Sequence, residues 1–339
     1  MPSLWVVLEY LRSHLFSGFG WALLGYSQYL NLGAIQIADF SGAWGVSYVV
    51  MMSNVALWQS LTQRRIKIMA VPFIIVSCVF LYGIFRLGQI PEEGESVRIS
   101  VIQPNIPQEL KWQKGQEEHI LDKHLTLSLL SLEERPDIII WPESAIVNYM
   151  DLTFPLKEQE PFREILRFTE ETGIPILFGV VSRRDGKFAN SAVFIQDGRL
   201  SGYYEKIHLV PFGEYIPLRE YLPFLETIVP IGDFTAGDEF TVFNFSRTDD
   251  LKRVRFSVLI CFEDTIAPLS RAFLKRGADF LVNITNDAWF GRSSSPYQHL
   301  QASVFRAVEN RCPLVRAANT GISAFVDSAG RILDTVKVN

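Results

Sequence analysis

The sequence predicts an α/β protein in which transmembrane helices precede the globular part. Three observations predict this class. Two long uncharged apolar runs lie in the first 90 residues, predicted strands and helices alternate from residue 97 onward, and a reactive or charged residue follows several of the predicted strands. Alternating strands and helices are typical of a buried sheet covered by helices. Hydrophobic residues make up 48% of the 339 residues, and the excess is concentrated before residue 90.

The N-terminal segment is apolar, but glycines and side-chain amides interrupt it. We therefore expect residues 1–39 to form a membrane-interfacial arm rather than a clean span. Trp5, Trp21, Tyr26 and Tyr29 would suit the headgroup boundary of a bilayer. A third, weakly hydrophobic span is the alternative interpretation of the same segment.

Two uncharged runs follow, at residues 40–63 and 68–85. Each is long enough to cross a bilayer, which takes about 20 apolar residues. We predict two transmembrane helices within residues 40–87, with a pair of buried core helices as the alternative. The loop from Arg64 to Lys67 between them carries three cations. Because basic loops stay cytoplasmic, the arm and everything after the spans should lie on the outer face.

Residues 88–96 are a predicted linker, and residues 97–339 are the predicted catalytic domain. Its predicted strands cover residues 97–103, 137–141, 175–181, 189–196, 199–204, 254–260, 279–284, 313–318 and 322–327. Its predicted helices cover residues 114–134, 160–172, 265–276 and 296–311. This pattern favours an extensive buried sheet.

Composition excludes several classes of function. A net charge of −5 without a basic stripe after residue 90 argues against a nucleic-acid partner. The histidines are scattered singly, so no metal site, Cys–His pair or cofactor is expected. Nothing in the three cysteines suggests a disulfide framework. Cys78 lies in the second predicted span and Cys312 in a turn, which leaves Cys261 in the one setting typical of a reactive thiol.

Cys261 ends an apolar predicted strand, and Glu143 and Lys206 lie near the ends of two others. In α/β proteins, ligands gather at the carboxyl ends of the strands. A thiol with a pKa of ~8.5 is a weak nucleophile until a nearby cation or base activates it. The three residues therefore predict a cysteine acyl-transfer site, with Glu143 as base, Lys206 as fixed charge and Cys261 as nucleophile.

Each residue also has an ordinary structural interpretation. Glu143 could be a turn or helix-capping carboxylate, Lys206 a surface lysine and Cys261 a small buried hydrophobe. A carboxylate that acts as a base needs a raised pKa. The apolar setting of the isoleucine-rich strand and Trp141 would raise the pKa of Glu143 by desolvation. Lys206 follows two tyrosines in a weakly charged run, where a fixed positive charge can stabilise an oxyanion.

Taken together, four segments resemble the nitrilase superfamily, and more closely its membrane-bound apolipoprotein N-acyltransferase branch. These segments are residues 141–145, 205–217, 261–263 and 286–291. Further similarity lies at residues 18–21, 25–28, 103–105 and 111–112, so the resemblance covers most of the chain. It implies a four-layer α-β-β-α domain outside the membrane, with the roles already inferred for Glu143, Lys206 and Cys261.

The resemblance also implies residues around these three. Trp112 matches a functional tryptophan, Glu214 would be a fourth carboxylate near the thiol, and Phe262 and Glu263 would line the site beside it. Phe262 stands where the family often has tyrosine, a change that keeps the ring. Relative to the family, the chain looks truncated at both ends.

The implied reaction is a ping-pong transfer at the outer face of a bacterial inner membrane. The nucleophile would take an acyl chain from a phospholipid as a thioester and pass it to the α-amino group of a lipoprotein's diacylglyceryl-cysteine. Two rival functions use the same fold: a membrane-tethered amidase with water as acceptor, and a non-catalytic binding module.

Several polar residues interrupt otherwise apolar elements: Asn286, Asp287, His299, Arg306, Glu309, Arg316 and Asn319. Helical spacing places Arg306 and Glu309 on one face, which predicts a structural ion pair. Asn286 and Asp287 follow a predicted strand, so we expect them to shape the loop near the thiol.

Overall fold

The computed structural model describes residues 1–15, 18–90, 96–217, 234–291 and 293–336. Its helices are α1 (Pro2–His14), α2 (Leu32–Ile35), α3 (Ala38–Gln63), α4 (Ala70–Leu87), α5 (Gln108–Lys111), α6 (Glu117–Ser131), α7 (Phe162–Thr172), α8 (Ala267–Lys275) and α9 (Ser295–Asn310). Its strands are β1 (Ile99–Val101), β2 (Ile138–Ile140), β3 (Ile146–Asp151), β4 (Ile176–Arg184), β5 (Lys187–Gln196), β6 (Arg199–Glu205), β7 (Phe243–Ser246), β8 (Arg253–Ile260), β9 (Phe280–Thr285), β10 (Leu314–Ala318), β11 (Ser323–Val326) and β12 (Ile332–Val336).

The strands and helices predicted after residue 96 are all present, with ends shifted by a few residues. The structure adds β3, β7 and β12, which the sequence analysis did not predict. Both β7 and β12 are edge strands with exposed residues, so their hydrophobic signal is weak. Residues 91–95 of the predicted linker, residues 16 and 17 of the arm, and residues 337–339 lie outside the described residues.

Two sheets form the domain. In the first, β1, β2, β4, β5 and β6 are neighbours in that order, and β3 also pairs with β4. The second has the order β12-β11-β10-β9-β8-β7, with β8, β9 and β10 parallel. Because the central strands of both sheets are parallel, their carboxyl ends lie along one edge of each sheet.

The side chains of neighbouring strand residues divide between two cores. Ile139 packs with residues of α6 and α7, whereas Ile138 and Ile140 join the core shared with the second sheet and with α9. This alternation is the period of two expected for a sheet that is buried on both faces. The result is the four-layer α-β-β-α arrangement. Helices α6 and α7 form the outer layer on the first sheet, and α8 and α9 form the outer layer on the second.

Two N-terminal helices are long and apolar enough to cross a membrane: Ala38–Gln63, and the segment Ile66–Leu87 that contains α4. Only 28% and 17% of their apolar windows are buried, whereas a core helix would be mostly buried. The structure therefore favours spanning helices over the alternative of core helices. The 13-residue helix α1 is about 20 Å long and is too short to cross the ~30 Å bilayer core.

Polar side chains attach these helices to the domain. Arg311, which caps α9, donates from Nη2 to Asp39 Oδ2 at 2.6 Å, and Arg86 Nε donates to the same oxygen at 2.9 Å. Gly42, with φ +64°, interrupts α3, and the amide of Ala43 then donates to Glu309 Oε1 at 2.9 Å. Hydrogen bonds therefore fix α3 to α9 and its cap, and Arg86 fixes α4 to α3.

Candidate active site

Cys261 follows β8 directly and has the unusual backbone torsion φ +52°. A non-glycine residue in this left-handed region is strained, and such residues persist where the surrounding structure holds them. Two groups lie against the Cys261 carbonyl oxygen, Asn283 Nδ2 at 3.0 Å and His299 Nε2 at 3.2 Å. The structure thus places the thiol of a half-buried residue on a strained turn at the carboxyl end of a central strand.

The electrostatic environment of Cys261 keeps the thiol protonated at neutral pH. Burial raises its pKa well above the usual value, and the negative charges of Glu143 and Asp287 add to this effect. The positive charge of Lys206 and a hydrogen bond from Thr285 lower the pKa but do not outweigh the burial. A thiol with a raised pKa needs a base to take its proton before it can attack as a nucleophile.

Glu143 lies in the turn after β2, and Gly179 of β4 makes this turn possible. A Cβ atom at residue 179 would lie 2.6 Å from Glu143 Cα, so only glycine allows so close an approach. The buried Glu143 carboxylate accepts a hydrogen bond on each oxygen, from Asn190 Nδ2 at 2.8 Å and from the amide of Asn286 at 2.9 Å. One donor comes from each sheet, so Glu143 sits where the two sheets meet.

Lys206 follows β6 and is fully buried. Its Nζ donates to Glu214 Oε1 at 2.9 Å and lies 2.8 Å from Glu214 Oε2. Desolvation lowers the pKa of Lys206, but Glu214, Cys261, Glu143 and Glu263 together outweigh it and raise the pKa above the usual value. Lys206 is therefore a permanent cation whose field acts on the thiol.

Asn190, in β5, links Glu143 to Glu214, the partner of Lys206. Its Nδ2 donates to Glu143 Oε1 and to Glu214 Oε1, both at 2.8 Å. The sequence analysis missed this residue, although a lone amide in an apolar strand was an available signal. Asn190 thus bridges the two carboxylates, and Glu214 also accepts from Lys206 Nζ.

The family resemblance implies that Glu263 lines the site beside the thiol. Glu263 is fully buried, and its Oε1 accepts hydrogen bonds from the Tyr204 hydroxyl and from the amides of Ile207 and His208. Burial raises the pKa of Glu263 to about 7, against the opposing charge of Lys206. Glu263 therefore holds the backbone behind the thiol, and its expected place in the lining of the site stays a prediction.

Phe262 packs against the N-terminal arm. Its ring lies 5.7 Å from that of Phe19 and 6.3 Å from that of Trp21, with an angle of 4° between the planes of the latter pair. Trp21 also lies 5.0 Å from the His299 ring and donates from Nε1 to Gln298 Oε1 at 2.8 Å. The residue next to Cys261 is thus covered by aromatic side chains from the segment that precedes the two apolar helices α3 and α4.

Trp112 ends α5 with half of its surface exposed, and none of the described contacts joins it to the thiol. The residue before it, Lys111, is buried and donates from Nζ to the Glu143 carbonyl oxygen at 3.2 Å. Burial lowers the pKa of Lys111 to about 8, while the charge of Glu143 opposes that shift. The sequence analysis gave Lys111 no role, because a single lysine has no local signature of burial.

Three other polar residues singled out in the sequence lie in two places: Asn286 beside Glu143, and Arg306 with Glu309 beside the N-terminal helices. The backbone amide of Asn286 donates to Glu143 Oε2. Its side-chain Nδ2 donates to Gln108 Oε1 at 3.0 Å, and its Oδ1 accepts from Asn319 Nδ2 at 2.9 Å. Arg306 and Glu309 form the predicted ion pair, with 2.9 Å between Nη2 and Oε2. No group of three His, Cys, Asp or Glu side chains among the described residues is arranged to hold a metal ion.

Two family models match this sequence. The carbon-nitrogen hydrolase model covers residues 98–337, which is the whole of the two-sheet domain. The chain belongs to the carbon-nitrogen hydrolase family. The model of the apolipoprotein N-acyltransferase N-terminal domain matches residues 1–56, which include the arm and most of α3.

Curated relatives narrow the membership within the carbon-nitrogen hydrolase family. The chain is 40% identical to the apolipoprotein N-acyltransferase of Geobacter metallireducens over 98% of its own length and 64% of that protein. It is 33% identical to the apolipoprotein N-acyltransferase of Rickettsia prowazekii over 99% and 67% of the two chains. The chain therefore groups with the apolipoprotein N-acyltransferases and spans about two thirds of the length of these relatives.

Solved structures of carbon-nitrogen hydrolases share the fold. A CN-hydrolase superfamily protein from Xanthomonas campestris aligns with a TM-score of 0.54 and 19% identity, over 73% of this chain and 88% of that one. Saccharomyces cerevisiae Nit3, from branch 10 of the nitrilase superfamily, aligns with a TM-score of 0.53 and 15% identity, over 72% and 86% of the two chains. At such low identity, these similarities concern the fold alone.

Proposed function

We propose that this chain transfers an acyl chain from a phospholipid, through a thioester on Cys261, to the α-amino group of a lipoprotein's N-terminal diacylglyceryl-cysteine. Membership of the family and the names of the curated relatives support this function. The arrangement of Glu143, Lys206 and Cys261 supports the chemistry, since it combines a protonated thiol, a hydrogen-bonded carboxylate and a permanent cation.

In the first half-reaction, the Cys261 sulfur attacks the carbonyl carbon of a phospholipid ester. Glu143 takes the thiol proton as the S–C bond forms, and Lys206 stabilises the negative charge that develops on the carbonyl oxygen. The C–O ester bond then breaks, and Glu143 returns the proton to the departing alkoxide. The products are the acyl thioester and a lysophospholipid.

In the second half-reaction, the amino nitrogen of the lipoprotein attacks the thioester carbonyl. An N–C bond forms and the C–S bond breaks, which regenerates the Cys261 sulfur. Glu143 takes a proton from the attacking nitrogen, and this proton restores the thiol. The reaction needs no oxidant, metal or cofactor because it exchanges one acyl derivative for another.

One observation carries the choice of a lipid transferase over an amidase. Phe19 and Trp21 pack on Phe262, the residue after the nucleophile, and both belong to the segment that leads into the membrane helices. Three other aromatic residues are exposed: Trp112 at the end of α5, Phe212 in the segment after β6 and Trp289 in the segment after β9. Exposed aromatic side chains are typical of proteins that contact the membrane interface.

The choice of acceptor tests this proposal. We expect the acyl-enzyme to persist in water and to discharge rapidly onto a diacylglyceryl-cysteine peptide, because the aromatic cover restricts water at the thioester. The full chain, in detergent micelles, is first incubated with phospholipid that carries a labelled acyl chain. The peptide is then added, and the label is followed over time. The matched control is the same peptide with its amino group acetylated, which should leave the thioester intact. Equal release of free fatty acid with and without the amine would favour a hydrolase.

We also propose that the catalytic domain lies on the outer face of the inner membrane. The bonds of Asp39 and Arg86 join the start of α3 to the end of α4, so the two helices are antiparallel and the loop at Arg64–Lys67 lies far from the domain. The part of α3 after Gly42 is about 30 Å long, which matches the bilayer core. Basic loops stay in the cytoplasm, and this supports the orientation.

Reporter fusions test the orientation. A reporter that is active only outside the cytoplasm should be inactive at residue 65 and active at residue 200. A reporter that is active only in the cytoplasm serves as the control and should give the opposite pattern. Activity of the external reporter at residue 65, together with silence at residue 200, would reverse the proposed topology.

A further inference from the structure

Beneath the thiol lies a closed ring of four side chains with alternating charge, which we call the ion ring: Asp264, His299, Asp287 and Arg316. His299 Nε2 is 2.9 Å from Asp264 Oδ1, and His299 Nδ1 is 2.9 Å from Asp287 Oδ1. Arg316 closes the ring, with Nη2 2.9 Å from Asp287 Oδ2 and Nη1 3.2 Å from Asp264 Oδ2. All four side chains are buried.

The ring is electrically balanced only when His299 is an imidazolium. Each of its nitrogens lies 2.9 Å from a carboxylate oxygen, and an imidazolium would donate to both carboxylates. Nδ1 also lies 2.8 Å from Arg316 Nη2, a contact between two donors that the charges of Asp264 and Asp287 must offset. Desolvation and the neighbouring Arg316 lower the pKa of His299, but Asp264 and Asp287 outweigh them and raise it to about 9. Desolvation raises the pKa of Asp287, yet Arg316 and His299 outweigh it and lower that pKa to about 2.

Three hydrogen-bonded paths connect the ring to Cys261, one directly from His299 and two through Asn283 and Thr285. His299 Nε2 lies 3.2 Å from the Cys261 carbonyl oxygen. Arg316 donates to the side-chain oxygen of Asn283, whose Nδ2 donates to the same Cys261 carbonyl at 3.0 Å. Thr285 donates to Asp287 Oδ1 at 3.1 Å and also lies within hydrogen-bonding reach of the Cys261 thiol.

We propose that the ion ring positions the nucleophile: His299 as a cation, together with Asn283, holds the Cys261 carbonyl and with it the strained backbone that presents the thiol. The ring also places the positive charges of His299 and Arg316 beside Asp287, whose negative charge raises the pKa of Cys261. These residues act through Cys261 and contact neither the base Glu143 nor the cation Lys206 in any described hydrogen bond. The inference uses the proposed function only in taking Cys261 as the nucleophile.

The experiment measures the rate constant for alkylation of Cys261 by iodoacetamide in the full chain, from about pH 6 to about pH 10. Alkylation requires neither phospholipid nor lipoprotein, so its outcome is independent of the proposed acyl transfer. In the wild-type chain, the rate rises with pH as the thiol ionises. We expect the rise to flatten near pH 9, where His299 loses its proton and the ring becomes negative. Peptide mapping assigns the adduct to Cys261.

His299→Gln should lower the rate at neutral pH by about tenfold, because removal of one nearby positive charge raises the pKa of a thiol by about one unit or more. It should also abolish the flattening near pH 9. The matched control is His124→Gln, which replaces another buried histidine, hydrogen-bonded to the Ile120 carbonyl at 2.7 Å, and should change neither feature.

Asp264→Asn provides a second test, which holds even if His299→Gln fails to fold. It preserves the size of the side chain but removes one carboxylate from His299, so the pKa of the imidazolium falls. The flattening should therefore move to lower pH. A flattening that stays near pH 9 in Asp264→Asn, or a folded His299→Gln chain with the wild-type rate and profile, would overturn the proposal.

Discussion

Cys261→Ala is expected to abolish the acyl adduct that forms when the chain is incubated with phospholipid. Among the three cysteines, Cys261 alone lies on a strained strand end beside a permanent cation. Alanine removes the sulfur but leaves the Cys261 carbonyl contacts with Asn283 and His299 available. The measurement is intact mass after incubation, which should show the added acyl mass in the wild-type chain and none in the variant.

Cys312→Ala is the control for this result. The Cys312 thiol is buried, donates to the Asp279 carbonyl oxygen at 3.4 Å and has its pKa raised to about 12 by burial. It should remain unacylated, so its removal should leave the adduct unchanged. An adduct of the same mass on the Cys261→Ala chain would show that another residue is the nucleophile.

Glu143→Gln should slow formation of the acyl-enzyme by about 10²–10⁴-fold, the usual cost of losing a general base. The effect is large because the pKa of Cys261 is raised and little thiolate exists without a base. Glutamine has the size of glutamate and can still accept the hydrogen bond from the Asn286 amide. The measurement is the single-turnover rate of thioester formation with labelled phospholipid.

Asp151→Asn is the matched control, because Asp151 is a second buried carboxylate at a strand end of the same sheet, bound to Thr153 and Arg183. It should leave the rate unchanged. An unchanged rate in a folded Glu143→Gln chain would remove Glu143 from its role as base. Lys206→Ala is a less direct probe, since it would leave the buried Glu214 carboxylate without its partner and destabilise the fold.

The N-terminal region shows how far sequence patterns lead. Uncharged runs predicted α3 and α4 because a membrane-spanning helix needs only length and apolarity. The break of α3 at Gly42 was not predictable in this way, because it depends on Glu309 of a helix far along the chain accepting the Ala43 amide. Likewise, Trp21 suggested a membrane interface, whereas the packing of Phe19 and Trp21 on Phe262 required the folded domain.

For the site, the sequence by itself determined most of the strands, but not β3, β7 and β12, and the presence of Glu143, Lys206 and Cys261 near strand ends. These features are local, because a short stretch of sequence determines the hydrophobic periodicity and the end of a strand. Only the tertiary structure decided that Asn190 bridges two carboxylates, that Glu263 turns inward and that Asp264 and Asp287 meet at His299. Those contacts join residues from different strands and helices, and the hydrogen bonds and charges that stabilise them appear only once the two sheets have packed.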